Sequence, residues 1–214
     1  MFRKIYLSPV GIFISLVLNC LSFIQKPFMV YGFFNRKSGN FYKRTRLGST
    51  VKLVDKKNID IKDHVWIGHY SLLDGIGGIT IEKGVNIASH TCIYTHSSQN
   101  SVRLLGDKFI DVPAHKRPGY IIEPVYIGEY TFIGTGCIIL PGTRLGKGCV
   151  VGAGSVVKGE YPDYSIVVGN PAKIVGDTRV ADEKYFQNGG DTNTYYDRTL
   201  IKDSKFNSGL TSHQ

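Results

Sequence analysis

The stretch IIEPVYIGEYTFIGTGCIILPGTRLGKGCVVGAGSVV (121–157) decides the fold of this chain, because an aliphatic residue recurs at every sixth position. The recurring residues are Ile121, Ile127, Ile133, Ile139, Leu145, Val151 and Val157. Four positions after each of them comes a residue that is small in most repeats, namely Val125, Thr131, Cys137, Thr143, Cys149, Ser155 and then the larger Tyr161. A period of six is not helical and is too short for a propeller blade. It predicts a parallel β-helix, in which each hexapeptide supplies one short strand and one corner.

The same period extends toward the N-terminus of the chain. It runs through Ile61, Ile67 and Leu73 and, after a slip of two residues at positions 78–79, through Ile81, Ile87 and Ile93. Three hexapeptides make one coil, so residues three hexapeptides apart are expected to stack at the strand spacing of about 4.8 Å. We predict an all-β fold in which the aliphatic residues point inward and the small residues, Cys137 and Cys149 included, fill the interior beside them.

Composition and charge limit the function classes. The chain has 214 residues, of which 42% are apolar and 20% charged, as in an ordinary globular protein. The four cysteines form no C-x-x-C pair, which argues against a zinc ribbon or a disulfide scaffold and favours a reducing compartment. The net charge of +9 comes from residues 1–57, which hold eleven Lys and Arg and one acid. No nucleic-acid partner is expected, since such proteins spread their basic patch over the folded domain.

These patterns divide the chain into three parts. Residues 1–57 form an apolar and basic arm with a helical segment, residues 58–176 form the β-helix, and residues 177–214 form a polar tail. After Ile93 the period stops, and residues 97–120 form a long loop before Ile121 resumes it. Long loops are uncommon in compact domains and are often functional, so this loop is a candidate functional segment.

The arm contains the one long apolar run, at residues 10–24. A run of this length is shorter than the roughly 20 residues that a helix needs to cross a bilayer. Aromatic and basic residues follow it up to Lys57, which predicts peripheral contact with an anionic membrane. For a cytoplasmic protein this would be the inner face of the cytoplasmic membrane. The alternatives are that the run packs on the body or on a neighbouring subunit, or that it is a signal peptide.

Residues 127–157, followed by GNPAKIV (169–175), resemble the hexapeptide acyltransferases, in particular the maltose, galactoside, streptogramin and capsular-polysaccharide O-acetyltransferases. The resemblance covers residues 59–176. It implies a left-handed β-helix, a homotrimer, acetyl-CoA as donor co-substrate and active sites between neighbouring subunits. The function it implies is O-acetylation of a sugar hydroxyl in capsular polysaccharide, exopolysaccharide or O-antigen biosynthesis, with a sugar or a lipid-linked polysaccharide as acceptor.

Acetyl transfer to an alcohol needs a general base, for which imidazole is the usual side chain. Of the six histidines, His96 alone sits where the coil breaks into the loop, and it matches the catalytic histidine of the family. Asp74, on the coil beneath, is expected to bind a hydroxyl or to orient the imidazole, and the alternative is a solvated corner residue. Phe132 matches an aromatic residue that lines the sugar site in relatives, and the alternative is packing at a trimer interface.

The donor side is predicted from a column of small residues. Thr135 lies three hexapeptides before Ala153, and Gly136 lies three hexapeptides before Gly154, so each pair is expected to stack. If the loop preserves the phase of the coil, His96 lies at the same corner one coil earlier. Such a column leaves a groove for a narrow pantetheine arm, although glycine also simply serves tight corners. The resemblance carries contact with coenzyme A onto Thr135, Ala153, Asn170, Pro171 and Lys173, with Lys173 near the phosphates.

Two other function classes stay open. No metal is expected, but His64 and His69 share the spacing of two ligands in the carbonic anhydrases that have this fold, so a metal-dependent enzyme of that kind is one alternative. A non-catalytic trimeric hexapeptide scaffold is the other. A pure scaffold would not need His96, the loop 97–120 or the Gly-Asn-Pro-Ala-Lys segment.

Overall fold

A computed structural model of the chain describes residues 8–22 and 26–202. Short parallel strands pass in turn through a first, a second and a third sheet, so that the chain winds as a three-sided prism. Strands of one sheet that are adjacent in space come from successive turns of the winding. This arrangement is a parallel β-helix, which confirms the prediction from the hexapeptide period.

Each sheet runs along one side of the prism. The first sheet also has one additional antiparallel strand at each of its two ends. The first sheet contains β1 (Met29–Phe34), β2 (Phe41–Gly48), β5 (Trp66–Ile67), β8 (Asn86–Ile87), β13 (Phe132–Ile133), β16 (Val150–Val151), β19 (Ser165–Gly169) and β20 (Ala172–Asp177). The second contains β3 (Lys52–Val54), β6 (Leu72–Asp74), β9 (Cys92–Tyr94), β14 (Ile138–Ile139) and β17 (Val156–Val157). The third contains β4 (Ile59–Ile61), β7 (Ile79–Ile81), β12 (Val125–Ile127), β15 (Arg144–Leu145) and β18 (Glu160–Tyr161).

The other elements lie outside the prism. Strands β10 (His96–Ser97) and β11 (Ile121–Ile122) form a separate antiparallel pair. The described helices are α1 (Pro9–Ser22), α2 (Gln99–Leu105), α3 (Thr178–Gln187) and α4 (Arg198–Lys202). Helix α2 belongs to the long loop, whereas α3 and α4 follow the last strand.

The interior of the prism is a ladder of aliphatic side chains. Ile133 pairs with Val151 and Ile139 with Val157, each three hexapeptides apart, and all four side chains are fully buried. Ile61 pairs with Ile81, two positions further along because of the slip at residues 78–79. The small residues at the corners are buried as well, and burial raises the pKa of the Cys137 and Cys149 thiols. These observations confirm the predicted inward positions, with one exception.

The exception is Ile121, which was expected to resume the period. It lies in β11, is half-buried, and pairs with Ser97 of β10 outside the interior. The coil resumes only at β12, where Val125 and Ile127 are buried. The prediction of an inward Ile121 was wrong. Ile121 has the six-residue spacing to Ile127 but belongs to the antiparallel stem of the loop and not to a strand of the coil.

The prism also begins earlier than residue 58. Strand β2 pairs in parallel with β5, and β3 with β6, so residues 45–54 form two sides of the first coil. Leu47 and Leu53 are its inward residues, stacked on Ile67 and Leu73. The segment predicted as an arm, 1–57, therefore contributes to the prism. The two inward leucines do not stand out as a repeat in the sequence, because they lie among outward-facing cations.

The described part of the segment predicted as a polar tail, up to residue 202, packs back against the coil. Phe186 of α3 is buried, and Asp197 is 4% exposed. The Asp197 carboxylate accepts a hydrogen bond from Lys147 Nζ at 2.5 Å and another from the Tyr164 hydroxyl. Although burial opposes it, these hydrogen bonds hold the pKa of Asp197 well below its ordinary value. The same contact raises the pKa of Lys147.

We expect Asp197→Asn to lower the free energy of unfolding by about 1–3 kcal/mol, because it leaves the Lys147 ammonium with a neutral partner. Urea or thermal unfolding followed by circular dichroism measures the loss. Asp111→Asn, which removes an exposed carboxylate of the long loop, is the matched control and should leave the free energy of unfolding unchanged.

The pH dependence of this loss follows from the two shifts. Because the pKa of Asp197 is lowered on folding, the ionised carboxylate stabilises the folded state above the ordinary pKa of 3.8, and this stabilisation is lost as the pH falls below it. Because the pKa of Lys147 is raised, its ammonium stabilises the folded state below the ordinary pKa of 10.5, and this stabilisation is lost as the pH rises above it. The difference between the wild type and Asp197→Asn should therefore be constant from about pH 5 to 9 and shrink at both extremes. A difference that persists unchanged into strong acid would contradict the ion pair.

Candidate active site

His96 stands at the edge of the prism between the second and third sheets. It is separated from β9 by Thr95 alone and opens β10, where it pairs with Ile122 of β11, so that it closes the base of the loop 97–120. The loop itself carries α2 and two short 3-10 turns, Gly106–Phe109 and Ala114–Lys116. The position at the take-off of the loop, predicted from the sequence, is the position that the structure shows.

A carboxylate lies beside the imidazole. Asp74 ends β6 and pairs with Tyr94 of β9, which places its side chain one coil below His96. His96 Nδ1 and Asp74 Oδ2 are 3.3 Å apart, within ion-pair distance, although their alignment falls outside that of a regular hydrogen bond. Nδ1 is buried, whereas the side chain as a whole is 26% exposed, so the accessible side of the ring is the one that carries Nε2.

A network of hydrogen bonds holds this pair in place. Asp74 Oδ1 accepts from the Ile76 N–H at 3.2 Å, and the Asp74 carbonyl accepts from the Thr95 hydroxyl at 2.6 Å. The Thr95 hydroxyl in turn accepts from the Gly77 N–H at 2.7 Å. A Cβ at Gly77 would lie 2.6 Å from the carbonyl oxygen of Thr95, so only glycine fits beneath the residue that precedes His96.

The sequence analysis did not single out three residues of this surrounding. Thr95 is fully buried and connects the two coils, and Gly77 provides the close approach. The Tyr120 ring lies 5.8 Å from the His96 ring, at the point where the loop returns. The slip at residues 78–79 was the one available signal, since an irregularity in a strict repeat marks a coil with a special corner.

The predicted donor residues lie on another edge, between the first and second sheets. Thr135 and Ala153 are exposed and stacked, with the Gly154 N–H donating to the Thr135 carbonyl at 2.9 Å. Gly136 and Gly154 have φ of +72° and +70°, and a Cβ at either would meet nothing within 4 Å. The two glycines therefore leave an open strip along this edge. Their own N–H groups are engaged within the coil and are not free to bind a ligand.

The Gly-Asn-Pro-Ala-Lys segment caps the same edge. It forms the turn between β19 and β20, and β19 stacks on β16 through Val167 and Val151. Asn170 and Pro171, joined by a cis peptide bond, thus follow Ala153 one coil further. Lys173 is exposed in β20, opposite Val168. The structure brings all seven predicted donor residues to one end of one edge.

His96 does not lie on that edge, contrary to expectation. The residue stacked next to Thr135 is Ser89, whose carbonyl accepts from the Gly136 N–H at 3.1 Å. Ile93, just before His96, stacks on Ile139 of the second sheet. The loop leaves the prism one side later than the donor corner, so the phase assumed from the sequence was wrong.

Within one chain, Phe132 also lies on a different side of the prism from His96. It is 41% exposed on the outer face of the first sheet, where its strand neighbours are Asn86 and Val150. Among the remaining histidines, His64 Nε2 lies 2.9 Å from an Arg44 Nη atom. Within residues 8–22 and 26–202, no three His, Cys, Asp or Glu side chains converge as metal ligands would.

Comparisons with known proteins agree with this architecture. The family model "Bacterial transferase hexapeptide (six repeats)" matches residues 124–159. The chain is 32% identical over 138 residues to a dTDP-4-amino-4,6-dideoxy-D-glucose acyltransferase of Escherichia coli, covering 61% of this chain and 70% of that protein. It is 30% identical over 171 residues to a galactoside O-acetyltransferase of Lactococcus lactis, covering 80% and 66%. A Mycobacterium tuberculosis protein named "Probable acetyltransferase" is 48% identical over 146 residues, covering 64% of this chain but 45% of that longer protein.

Solved structures show the same fold. A hexapeptide-repeat acetyltransferase of Vibrio cholerae aligns with a TM-score of 0.54 and 27% identity, covering 61% of this chain and 69% of that one. A second structure of such a Vibrio cholerae protein, in complex with acetyl-CoA, aligns with a TM-score of 0.50 and 28% identity, covering 59% and 64%. The prism is thus a left-handed β-helix, and the chain belongs to the hexapeptide-repeat acyltransferase family.

Proposed function

We propose that this protein is an acetyl-CoA-dependent O-acetyltransferase that acts on a sugar hydroxyl. The observation that carries the proposal is the pair of His96 and Asp74 at the base of the long loop. Support comes from the relatives, two of which are named for sugar substrates, and from the Vibrio cholerae relative, whose structure contains acetyl-CoA.

The pair suits general base catalysis. With Nδ1 facing the Asp74 carboxylate, the neutral imidazole presents Nε2 to accept the proton of a sugar hydroxyl. The hydroxyl oxygen then attacks the thioester carbonyl, and the C–S bond breaks as the tetrahedral intermediate collapses. The proton held at Nε2 passes to the departing thiolate, which yields an acetylated sugar and free coenzyme A. Asp74 stabilises the imidazolium that exists between the two proton transfers.

The donor is proposed to lie along the edge that carries Thr135 and Ala153. Corners of successive coils are about 4.8 Å apart, so the strip from Thr135 to Asn170 is about 10 Å long. The two glycines keep it clear of side chains, which suits the narrow pantetheine arm. Lys173, exposed at the far end, is placed to pair with the phosphates.

We also propose a homotrimer with active sites between neighbouring subunits. In one chain, His96 and the donor edge lie on different edges of the prism, so they can meet only across an interface. The outer face of the second sheet offers an apolar surface next to His96, formed by the stacked residues Leu72, Cys92, Ile138 and Val156. The outer face of the third sheet, in contrast, carries Asp60, Arg144 and Glu160.

The acceptor is proposed to be a sugar or a lipid-linked polysaccharide unit in capsular, exopolysaccharide or O-antigen biosynthesis. This rests on the resemblance of residues 127–157 and 169–175 to capsular O-acetyltransferases. Because acetyl-CoA is a cytoplasmic metabolite, we place the reaction in the cytoplasm.

His96→Ala should lower turnover by about 10²–10⁴-fold, because it removes the proton acceptor. Asp74→Asn should cause a smaller loss, since the amide keeps the shape of the side chain but not the charge that faces the imidazolium. Release of coenzyme A from acetyl-CoA, measured with a panel of sugars and sugar nucleotides, reports both effects. His64→Ala, at an exposed corner between the third and first sheets, is the control. If His96→Ala turned over as fast as His64→Ala, His96 would not be the base.

Lys173→Ala should weaken acetyl-CoA binding by about 1–3 kcal/mol, because a charge-assisted contact to phosphate is lost. Titration calorimetry at low and high salt should also show a shallower salt dependence than in the wild type. Lys83→Ala removes an equally exposed cation from another corner and should change neither quantity. Identical behaviour of the two variants would mean that Lys173 does not face the donor.

Ile138→Lys should dissociate the trimer, because it places a charge in the apolar column of the second sheet. Light scattering after size exclusion should show monomers with an unchanged circular dichroism spectrum, and turnover should be lost together with the shared sites. Glu160→Lys, on the polar face of the third sheet, should leave the trimer intact. A monomeric variant with full turnover would show that each chain carries a complete site.

A further inference from the structure

Helix α1 presents apolar side chains to its surroundings over most of its circumference. The exposed ones, each between 42% and 66% accessible, are Val10, Ile12, Phe13, Ile14, Leu16, Val17, Leu18 and Leu21. Gly11, Ser15 and Asn19 follow one another at four-residue spacing, so they form a single narrow stripe without apolar side chains, on which Gly11 is buried and Ser15 half-buried. With 14 residues, the helix is about 21 Å long. Among the described helices, none has the length and apolar content to cross a bilayer.

The β1–β2 hairpin, which follows α1 in the chain, presents a second group of exposed apolar side chains. Phe34 and Phe41 face each other across the hairpin and are 57% and 59% exposed. Tyr31, three residues before Phe34 in β1, is 71% exposed. The turn beside the two phenylalanines carries the exposed cations Arg36 and Lys37. Exposed aromatic rings next to cations are typical of segments that insert at the headgroup level of a membrane.

The charged side chains that these two elements themselves carry have one sign, although Asp60 and Asp63 of the prism accept hydrogen bonds from Asn35 and from the Arg44 N–H. No Asp or Glu occurs before Asp55, whereas the hairpin alone carries Arg36, Lys37, Lys43, Arg44 and Arg46, all exposed. Each cation near an anionic leaflet strengthens partition by about fivefold. The same charges disfavour contact with an identical segment of a second copy, because like charges would be brought together.

We propose that α1 and the tip of the β1–β2 hairpin form a membrane-binding surface for an anionic phospholipid bilayer. In this arrangement the helix lies in the plane of the interface with its apolar side chains among the acyl chains. Phe34 and Phe41 enter at headgroup depth, and the cations of the hairpin pair with lipid phosphates. This surface is built from other residues than the acetyl-transfer site and does not depend on the proposed reaction.

Co-sedimentation of the full chain with vesicles tests the surface. One set of vesicles is phosphatidylcholine alone, and the other is phosphatidylcholine mixed with phosphatidylglycerol. The variants are Arg36→Gln/Lys37→Gln for the charge and Phe13→Gln/Val17→Gln for the apolar helix, since glutamine preserves helix propensity. The matched controls are Lys83→Gln/Lys184→Gln and Ile110→Gln/Val180→Gln, which change exposed residues of the same kinds elsewhere on the protein.

We expect the wild type to bind the anionic vesicles and to be weakened by salt, and both test variants to bind at least about fivefold more weakly than the controls. Equal binding of the wild type to both kinds of vesicle, or to neither, would overturn the proposal. So would a loss as large in the controls as in the test variants. A fall in oligomer mass on Phe13→Gln/Val17→Gln, without an effect on vesicle binding, would also overturn it, since the helix would then be an interface between copies.

Discussion

The constraint on which the rest of the structure depends is the stacking of aliphatic side chains inside the prism. Every sixth residue of the repeat points inward and stacks on the inward residue of the next coil. Ile61, Ile81, Ile127 and Leu145 form one such column, and all four are fully buried. Each buried side chain of this size contributes about 1.5–3 kcal/mol. The inward positions are therefore occupied by aliphatic side chains and by the small residues beside them, with Tyr161 at the end of this column. Chemistry and partner contacts are left to corners, outward faces and the segments that leave the coil.

This constraint explains what could be predicted from the sequence. The period of six is visible because the interior is strict, and the placement of His96 and Asp74 on adjacent coils follows from counting rungs. The first coil escaped prediction because Leu47 and Leu53 provide only two rungs among outward cations. The contact of Lys147 with Asp197 joins residues fifty positions apart, and no local pattern announces such a contact. The side from which the loop leaves was misjudged, because Ile121 imitates a rung.

The two halves of the proposed site depend on the prism in different ways. The donor edge is a property of the coil itself, since its open strip exists wherever glycines occupy successive left-handed corners. The His96 corner depends instead on an irregularity, in which Thr95 and Gly77 lock two coils together below the loop. Under the proposed assignment of the two halves, catalysis depends on assembly as well as on folding, because no single chain brings them together.

The stem of the long loop has a further consequence for how this fold diversifies. His96 faces Ile122 across two short antiparallel strands, so the chain leaves and re-enters the coil at neighbouring points. An insertion or deletion between them alters no rung of the interior, and the entropy of closing such a loop grows only with the logarithm of its length. Selection can therefore exchange the whole loop while the histidine at its root is inherited unchanged. Under the proposed assignment of acceptor and base, substrate range and catalytic chemistry become separately heritable traits of one scaffold.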